Sequence, residues 1–221
     1  MDEDVFALHR HLEYTTSNIS NKDRLLDLIL TKPYLLLSQD RFGNTPLHVL
    51  LGSHYVDASI LDVMLRITPQ TITIKGRFGR LPIHCALCKG KNVFWVIKEL
   101  LNLYPEGSLI CTNGGWTPLH YAVDRDVADL SIIKLLCTLC PESALIPDFE
   151  QKLALHWAID RASANSDVIR YLIKLFPATT FSVARTRIEE GGIVYWNTWM
   201  PIDKALERGH YGRSIHWFIS P

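Results

Sequence analysis

Thr117-Pro118-Leu119-His120-Tyr121-Ala122 lies near the middle of this 221-residue chain, and the same phrase returns on both sides of it. Upstream stand Leu81-Pro82-Ile83-His84 and Thr45-Pro46-Leu47-His48, downstream Leu153-Ala154-Leu155-His156 and, more loosely, Met200-Pro201-Ile202-Asp203. His48, His84, His120 and His156 are each 36 residues apart, and Pro33, Pro69, Pro105, Pro141 and Pro177 keep the same interval. A fixed period of this length marks a stack of supersecondary units.

Each phrase opens a helix. Proline suits the first helical position, where its missing N–H has no partner to lose, and Thr45 or Thr117 before it can cap the exposed amides. The helix is short, predicted from about Pro118 to Arg125, because Asn21, Asp57, Asp129 and Asn165 form a second column of start signals about ten residues later. Behind that column, Ile60, Leu61, Met64, Leu65 and Ile67 line one face of a second helix, and Val96, Ile97, Leu100, Leu101 and Leu103 repeat the pattern. The columnar proline then ends that helix, since it cannot donate the amide that another turn needs. A helix pair of this kind cannot cover its own apolar stripe, so stacked neighbours must bury it in a solenoid.

Thr117-Pro118-Leu119-His120-Tyr121-Ala122 matches the T-P-L-H-x-A signature of ankyrin repeats residue for residue. The chain resembles an ankyrin-repeat protein from about residue 20 to 209, in variant repeats of 36 residues where the family usually has 33. About two of the extra residues fall between the helices. About one follows the second helix, where Pro105 to Gly107 and Pro141 to Ser143 replace the family's usual Gly-Ala turn. The resemblance implies an all-α, ankyrin-type helical repeat solenoid of about six stacked helix pairs. The whole of 1–221 is expected to form one domain: an N-terminal cap pair over 1–39, repeats over 40–75, 76–111, 112–147 and 148–183, and a C-terminal cap pair over 200–221. The cap helices are expected over Asp4–Glu13, Asn21–Lys32, Met200–Arg208 and His210–Ile219. Between them, residues 184–199 interrupt the period: Pro201 lies 47 positions after Ala154, an insertion of 11 residues whose strand-prone arms flank Gly191-Gly192. An elongated β-hairpin finger is expected there.

Composition narrows the function. The 23 basic and 23 acidic side chains cancel, so no accumulated positive charge is available to grip nucleic acid or an anionic membrane. The acidic start Met1-Asp2-Glu3-Asp4, the lack of a long apolar run, and five cysteines with no disulfide framework predict a location in the cytoplasm or nucleus, and a monomer is expected.

Catalytic and metal chemistry finds no support in the spacing. Equivalent histidines of stacked helices stand roughly 10 Å apart, whereas zinc takes ligands at about 2 Å. The resemblance gives His48, His84, His120 and His156 a structural role, bonding backbone and hydroxyl groups between repeats. Cys85/Cys88 and Cys137/Cys140 are separated by 48 residues, too far for a paired-knuckle zinc site. Both pairs fall inside predicted helices, and Cys137 shares a core column with Leu65, Leu101 and Ile173. No nucleophile elbow, phosphate loop or His-Glu-x-x-His occurs, so neither enzyme activity nor a cofactor is expected.

What remains is surface. In ankyrin-like stacks the turn tips and short helices line a concave face. Here the tips carry Arg41, Phe42 and Asn44; Arg77, Phe78 and Arg80; Asn113 and Trp116; and Phe149, Glu150 and Lys152. Aromatics interleaved with arginines are the composition of binding hot spots. The alternative is that Phe42 and Phe78 fold back onto the next repeat. The finger adds Arg187, Tyr195, Trp196 and Trp199, of which Trp199 beside Met200-Pro201 is the better candidate for packing and Trp196 for exposure. Trp95 stands in a column otherwise filled by Asp23, Ser59, Ser131 and Asp167, either as a convex contact or because the helix start shifts toward Asn92. The expected function is a non-catalytic protein-binding module or adaptor using Arg41, Phe42, Arg77, Phe78, Arg80, Trp116, Lys152, Arg187 and Trp196. The alternative is a nucleic-acid-associated module using Lys75, Arg77, Arg80, Lys89 and Lys91.

Overall fold

A computed structural model describes residues 8–10, 12, 19–53, 56–89, 93–124, 128–160, 165–181, 184–190 and 193–201. The chain divides into two compact units, Met1–Gly114 and Gly115–Pro221. In the first unit, α1 spans Ile19–Thr31, α2 Pro46–Leu51, α3 Ala58–Ile67, α4 Pro82–Lys89 and α5 Phe94–Leu103. In the second, α6 spans Pro118–Val123, α7 Leu130–Leu139, α8 Ala154–Asp160 and α9 Ser166–Leu175. Strands β1 (Ala184–Glu190) and β2 (Ile193–Trp199) follow. The short helices begin 36 residues apart, as do the long helices from α3 to α9.

Within the first unit α2 packs on α3 and α4, and α4 on α5; within the second α6 packs on α7 and α8, and α9 on both. Ile60, Leu61 and Met64, then Val96, Ile97, Leu100 and Leu101, fill the first core. Ile132, Ile133, Leu136 and Cys137, then Val168, Ile169, Leu172 and Ile173, fill the second. Leu103 departs from the pattern that put it on the buried face: it is 50% exposed, with Leu139 at 44% and Leu175 at 43%. Each is the last residue of its helix, where the chain turns away from the apolar stripe.

The start signals act through hydrogen bonds. The Ser59 and Ile60 amides donate to the Asp57 carboxylate at 2.9 and 3.2 Å, the Ser131 amide to Asp129 at 2.8 Å, and the Asp167 amide to Asn165 at 3.0 Å. Asn21 is the exception, for α1 already begins at Ile19. Lys22 Nζ lies 2.8 Å from Asp57, tying α1 to the start of α3. Burial works to raise the Asp57 pKa, but the bonds from Lys22, Ser59 and Ile60 outweigh it and hold the carboxyl at about 2, below its ordinary 3.8. A group depressed in the fold contributes stability above its unfolded pKa and loses it as pH falls through the folded value. Asp57→Ala should therefore cost about 1 kcal/mol at neutral pH, as N-cap losses do. In urea titrations the gap between variant and parent should close between pH 3.8 and about 2.

The columnar prolines both end and begin structure. Each opens a five-residue 3₁₀ turn, at Pro33–Leu37, Pro69–Thr73, Pro105–Leu109, Pro141–Leu145 and Pro177–Phe181. The hydroxyls of Thr71, Ser143 and Thr179 donate at 2.7 Å to the carbonyls of Thr68, Cys140 and Phe176, satisfying oxygens that the ended helix leaves open.

Trp95 holds its column. The helix begins in register at Phe94, not at a start shifted toward Asn92, and Trp95 is 39% exposed. Cys140 lies one residue beyond α7 in the cap position, outside the helix the sequence suggested. β1 and β2 pair antiparallel, with Arg187 opposite Trp196 and Ile188 opposite Tyr195. The Gly191-Gly192 turn and the pair expected over 202–219 lie outside the described residues, as does most of the expected helix over 4–13.

Candidate functional site

The histidine ladder fixes the turns that carry the tips. The Thr117 amide and hydroxyl both donate to His120 Nδ1, at 3.2 and 2.8 Å, and His120 Nε2 donates to the Lys152 carbonyl at 3.0 Å. Facing a carbonyl, Nε2 must carry the proton, so Nδ1 is the acceptor. His48 repeats this on Thr45 and on the Arg80 carbonyl at 3.0 Å. The Leu81 and Leu153 amides donate to Nδ1 of His84 and His156 at 3.0 Å. Asn44, Arg80 and Lys152 occupy one column of the repeat, and their carbonyls are held by His9, His48 and His120 in turn. His9 is thus the ladder's first member. It escapes the sequence pattern because it lies 39 residues before His48 and lacks the phrase around it.

The tips share a backbone requirement one residue before that column. Gly43, Gly79 and Gly115 have φ of +84°, +70° and +81°, and Gln151 takes the same place at +59°. At Gly115 a Cβ would come within 2.8 Å of the Phe149 nitrogen. Gln151 bears the left-handed strain without glycine's freedom, so Gln151→Gly should raise stability by about 0.5 to 1 kcal/mol, read in a denaturant melt. An unchanged or lowered midpoint would mean that the Gln151 side chain makes up the strain through contacts of its own.

In the first unit the tips form one continuous stack. The Arg41 guanidinium lies 4.7 Å from the Phe42 ring centroid, and Arg77 lies 4.9 Å from Phe42 and 4.5 Å from Phe78. Arg80 lies 5.5 Å from Phe78. Five of the residues nominated from sequence are therefore brought together, and Phe42 and Phe78 stand 45% and 53% exposed, Phe42 against Arg77 of the next repeat. The Asp40 carboxylate points into its own turn, accepting the Phe42 and Asn44 amides at 2.8 Å each. The Arg77 amide donates to Asn44 Oδ1 at 3.0 Å, and the Asn113 amide to the Phe78 carbonyl at 2.8 Å, joining successive tips. Phe78 itself is left-handed at φ +61°, a strain that bulky residues bear only where the surroundings impose it.

The second unit is organised differently. Lys152, nominated as an exposed contact, is 4% exposed. Its Nζ lies 2.9 Å from Glu150, 3.7 Å from Asp160 and 4.4 Å from the Trp157 ring centroid, so internal carboxylates neutralise it. Nothing in a residue-type pattern reveals that Asp160 and Trp157 would close over it. Trp116 is half-buried, 4.6 Å from Trp157 and edge-on to Tyr121 at 5.2 Å. Trp157 Nε1 donates to Asp148 at 2.8 Å, locking this cluster. Phe149 projects from it, 76% exposed.

Lys75 is exposed and donates to the Cys111 carbonyl at 3.5 Å, while Lys91 and the Lys89 side chain fall outside the description. Burial raises the Cys85 and Cys137 thiols to about 12, which removes thiolate chemistry at neutral pH. Among the described residues no group of three or more His, Cys, Asp or Glu could hold a metal ion, and no helix is long and apolar enough to cross a membrane.

A family model described as ankyrin repeats (3 copies) matches residues 95–183. Among curated proteins none matches the sequence. Among solved structures, the Bd0816 predatory endopeptidase from Bdellovibrio bacteriovorus in complex with immunity protein Bd3460 holds a chain that superposes with a TM-score of 0.61 at 17% identity. The alignment covers 92% of this chain and 92% of that one, and at this identity the likeness is one of fold.

Proposed function

The chain carries ankyrin repeats, and from that premise we propose that it is a non-catalytic adaptor whose work is to bind another protein as a monomer. The observation that supports this most is the exposure of Phe42 and Phe78 at the tips of successive repeats, each flanked by arginine. Large rings held in solvent on a fixed scaffold add little to the fold, yet aromatic and arginine side chains dominate binding energy at protein interfaces. The contact set we propose is Arg41, Phe42, Arg77, Phe78 and Arg80 in the first unit, and the half-buried Trp116 in the second. Lys152 is excluded by its burial. We further propose that the β1–β2 pair of the second unit is a finger that contacts the partner through Arg187 and Trp196, opposite one another in register.

Affinity capture from the cell of origin, quantified by mass spectrometry, tests this reading. A protein recovered with the parent chain should be lost with the Phe42→Ala/Phe78→Ala double variant and reduced with Trp196→Ala. Equal recovery by parent and double variant would overturn the tip surface, and equal recovery by Trp196→Ala would overturn the finger as a contact.

A further inference from the structure

We propose that the Arg41–Phe42–Arg77–Phe78–Arg80 stack is a docking strip for an acidic, extended polypeptide segment. This deepens, and rests on, the reading of the tips as a protein-binding surface. Each ring has two guanidiniums against it: Phe42 has Arg41 and Arg77, and Phe78 has Arg77 and Arg80. A guanidinium stacked on a ring keeps the N–H donors of its edge, in the fork geometry that matches a carboxylate. None of the ion pairs among the described residues involves Arg41 or Arg77. The one carboxylate in the turn, Asp40, is occupied by backbone amides.

The second unit supplies the contrast within one molecule. Lys152 occupies the column of Arg80, and Glu150 and Asp160 of the same unit neutralise it. The positive strip in the first unit has no such internal answer at Arg41 and Arg77. Successive repeats stand about 10 Å apart, and an extended chain advances about 3.3 Å per residue. Carboxylates three residues apart would therefore meet guanidiniums of successive tips. A nucleic acid fits the strip less well. Single-stranded bases need open ring faces to stack on, whereas these rings already carry guanidiniums, and the zero net charge gives little general attraction to phosphate.

The test is fluorescence anisotropy at low salt with three labelled probes: a twelve-residue peptide with glutamate at every third position, its glutamine twin, and a twelve-nucleotide oligothymidine. The glutamate peptide should bind, the other two should bind at least about tenfold more weakly, and added salt should reduce the binding. Arg77→Gln and Arg41→Gln should each weaken the glutamate peptide about fivefold or more, while Arg66→Gln, in an exposed pair with Asp62 on α3, should not. A thermal melt of each variant confirms that the fold survives. Equal binding of the glutamine twin, tighter binding of the oligonucleotide, indifference to both arginine substitutions, or no binding by the glutamate peptide would overturn the proposal. If a captured protein still depends on Phe42 and Phe78 while the glutamate peptide fails, the acidic partner falls and the protein-binding surface stands.

Discussion

His120→Ala should lower stability by about 1 to 3 kcal/mol, the cost of leaving buried polar partners unsatisfied. His120 and Thr117 are both 0% exposed, so the Thr117 amide and hydroxyl and the Lys152 carbonyl would lose their partner with no water to replace it. For a chain of this size the melting temperature should fall by about 2 to 4 °C per kcal/mol. Acid should act on the same ladder. Burial lowers the pKa of His120 and His48 below 6.5, against smaller raising effects of the Lys152 and Arg80 carbonyls and of Asp148 and Asp40. Because the unfolded chain then binds protons more readily, the contribution of these neutral histidines is present above pH 6.5 and lost as pH falls through their folded values. Melts at pH 7.5 and 5.5 should show the parent losing more than His120→Ala. An unchanged melting temperature together with lost partner binding would make the ladder part of the binding surface instead.

Phe78→Gly should separate binding from folding. The ring is 53% exposed and sits on a left-handed backbone at φ +61°, which glycine adopts without strain. Removing it relieves roughly 1 kcal/mol of strain and forfeits two cation–π contacts worth roughly 0.5 to 1 kcal/mol each. Stability should stay within about 1 kcal/mol of the parent. Affinity for the captured protein, measured by titration calorimetry, should fall by about 2 kcal/mol or more, or roughly thirtyfold, if Phe78 is a hot spot. Large destabilisation with intact affinity would assign the ring to the fold.

The periodic parts of this structure were legible because each column has one physical job. Proline at a helix start, Asp57 or Asp129 at a cap, and Ile60 or Ile132 on a buried face read the same way in every copy. Reading failed where a column changes its occupant or a partner comes from elsewhere. Asn21 falls inside α1, and His9 serves the ladder from outside the period. Lys152 looks like Arg80 in the alignment of repeats, yet it turns inward because Asp160 and Trp157 are there to receive it. The stack itself combines both cases. Arg41, Phe42, Arg77 and Phe78 were visible as tip residues, but their alternation arises from side-chain directions that spacing does not encode.

Site-specific photo-crosslinking reads the docking face directly. A benzoylphenylalanine replacing Phe42 keeps an aromatic ring at the tip, and the same group replacing Arg66 places it at an exposed site on α3 away from the stack. Irradiation in the presence of the captured protein should give a covalent adduct of defined mass from position 42 and none from position 66. Adducts from position 66 with none from position 42 would contradict the account, because the partner would then engage the long helices and leave the arginine–phenylalanine tips in solvent.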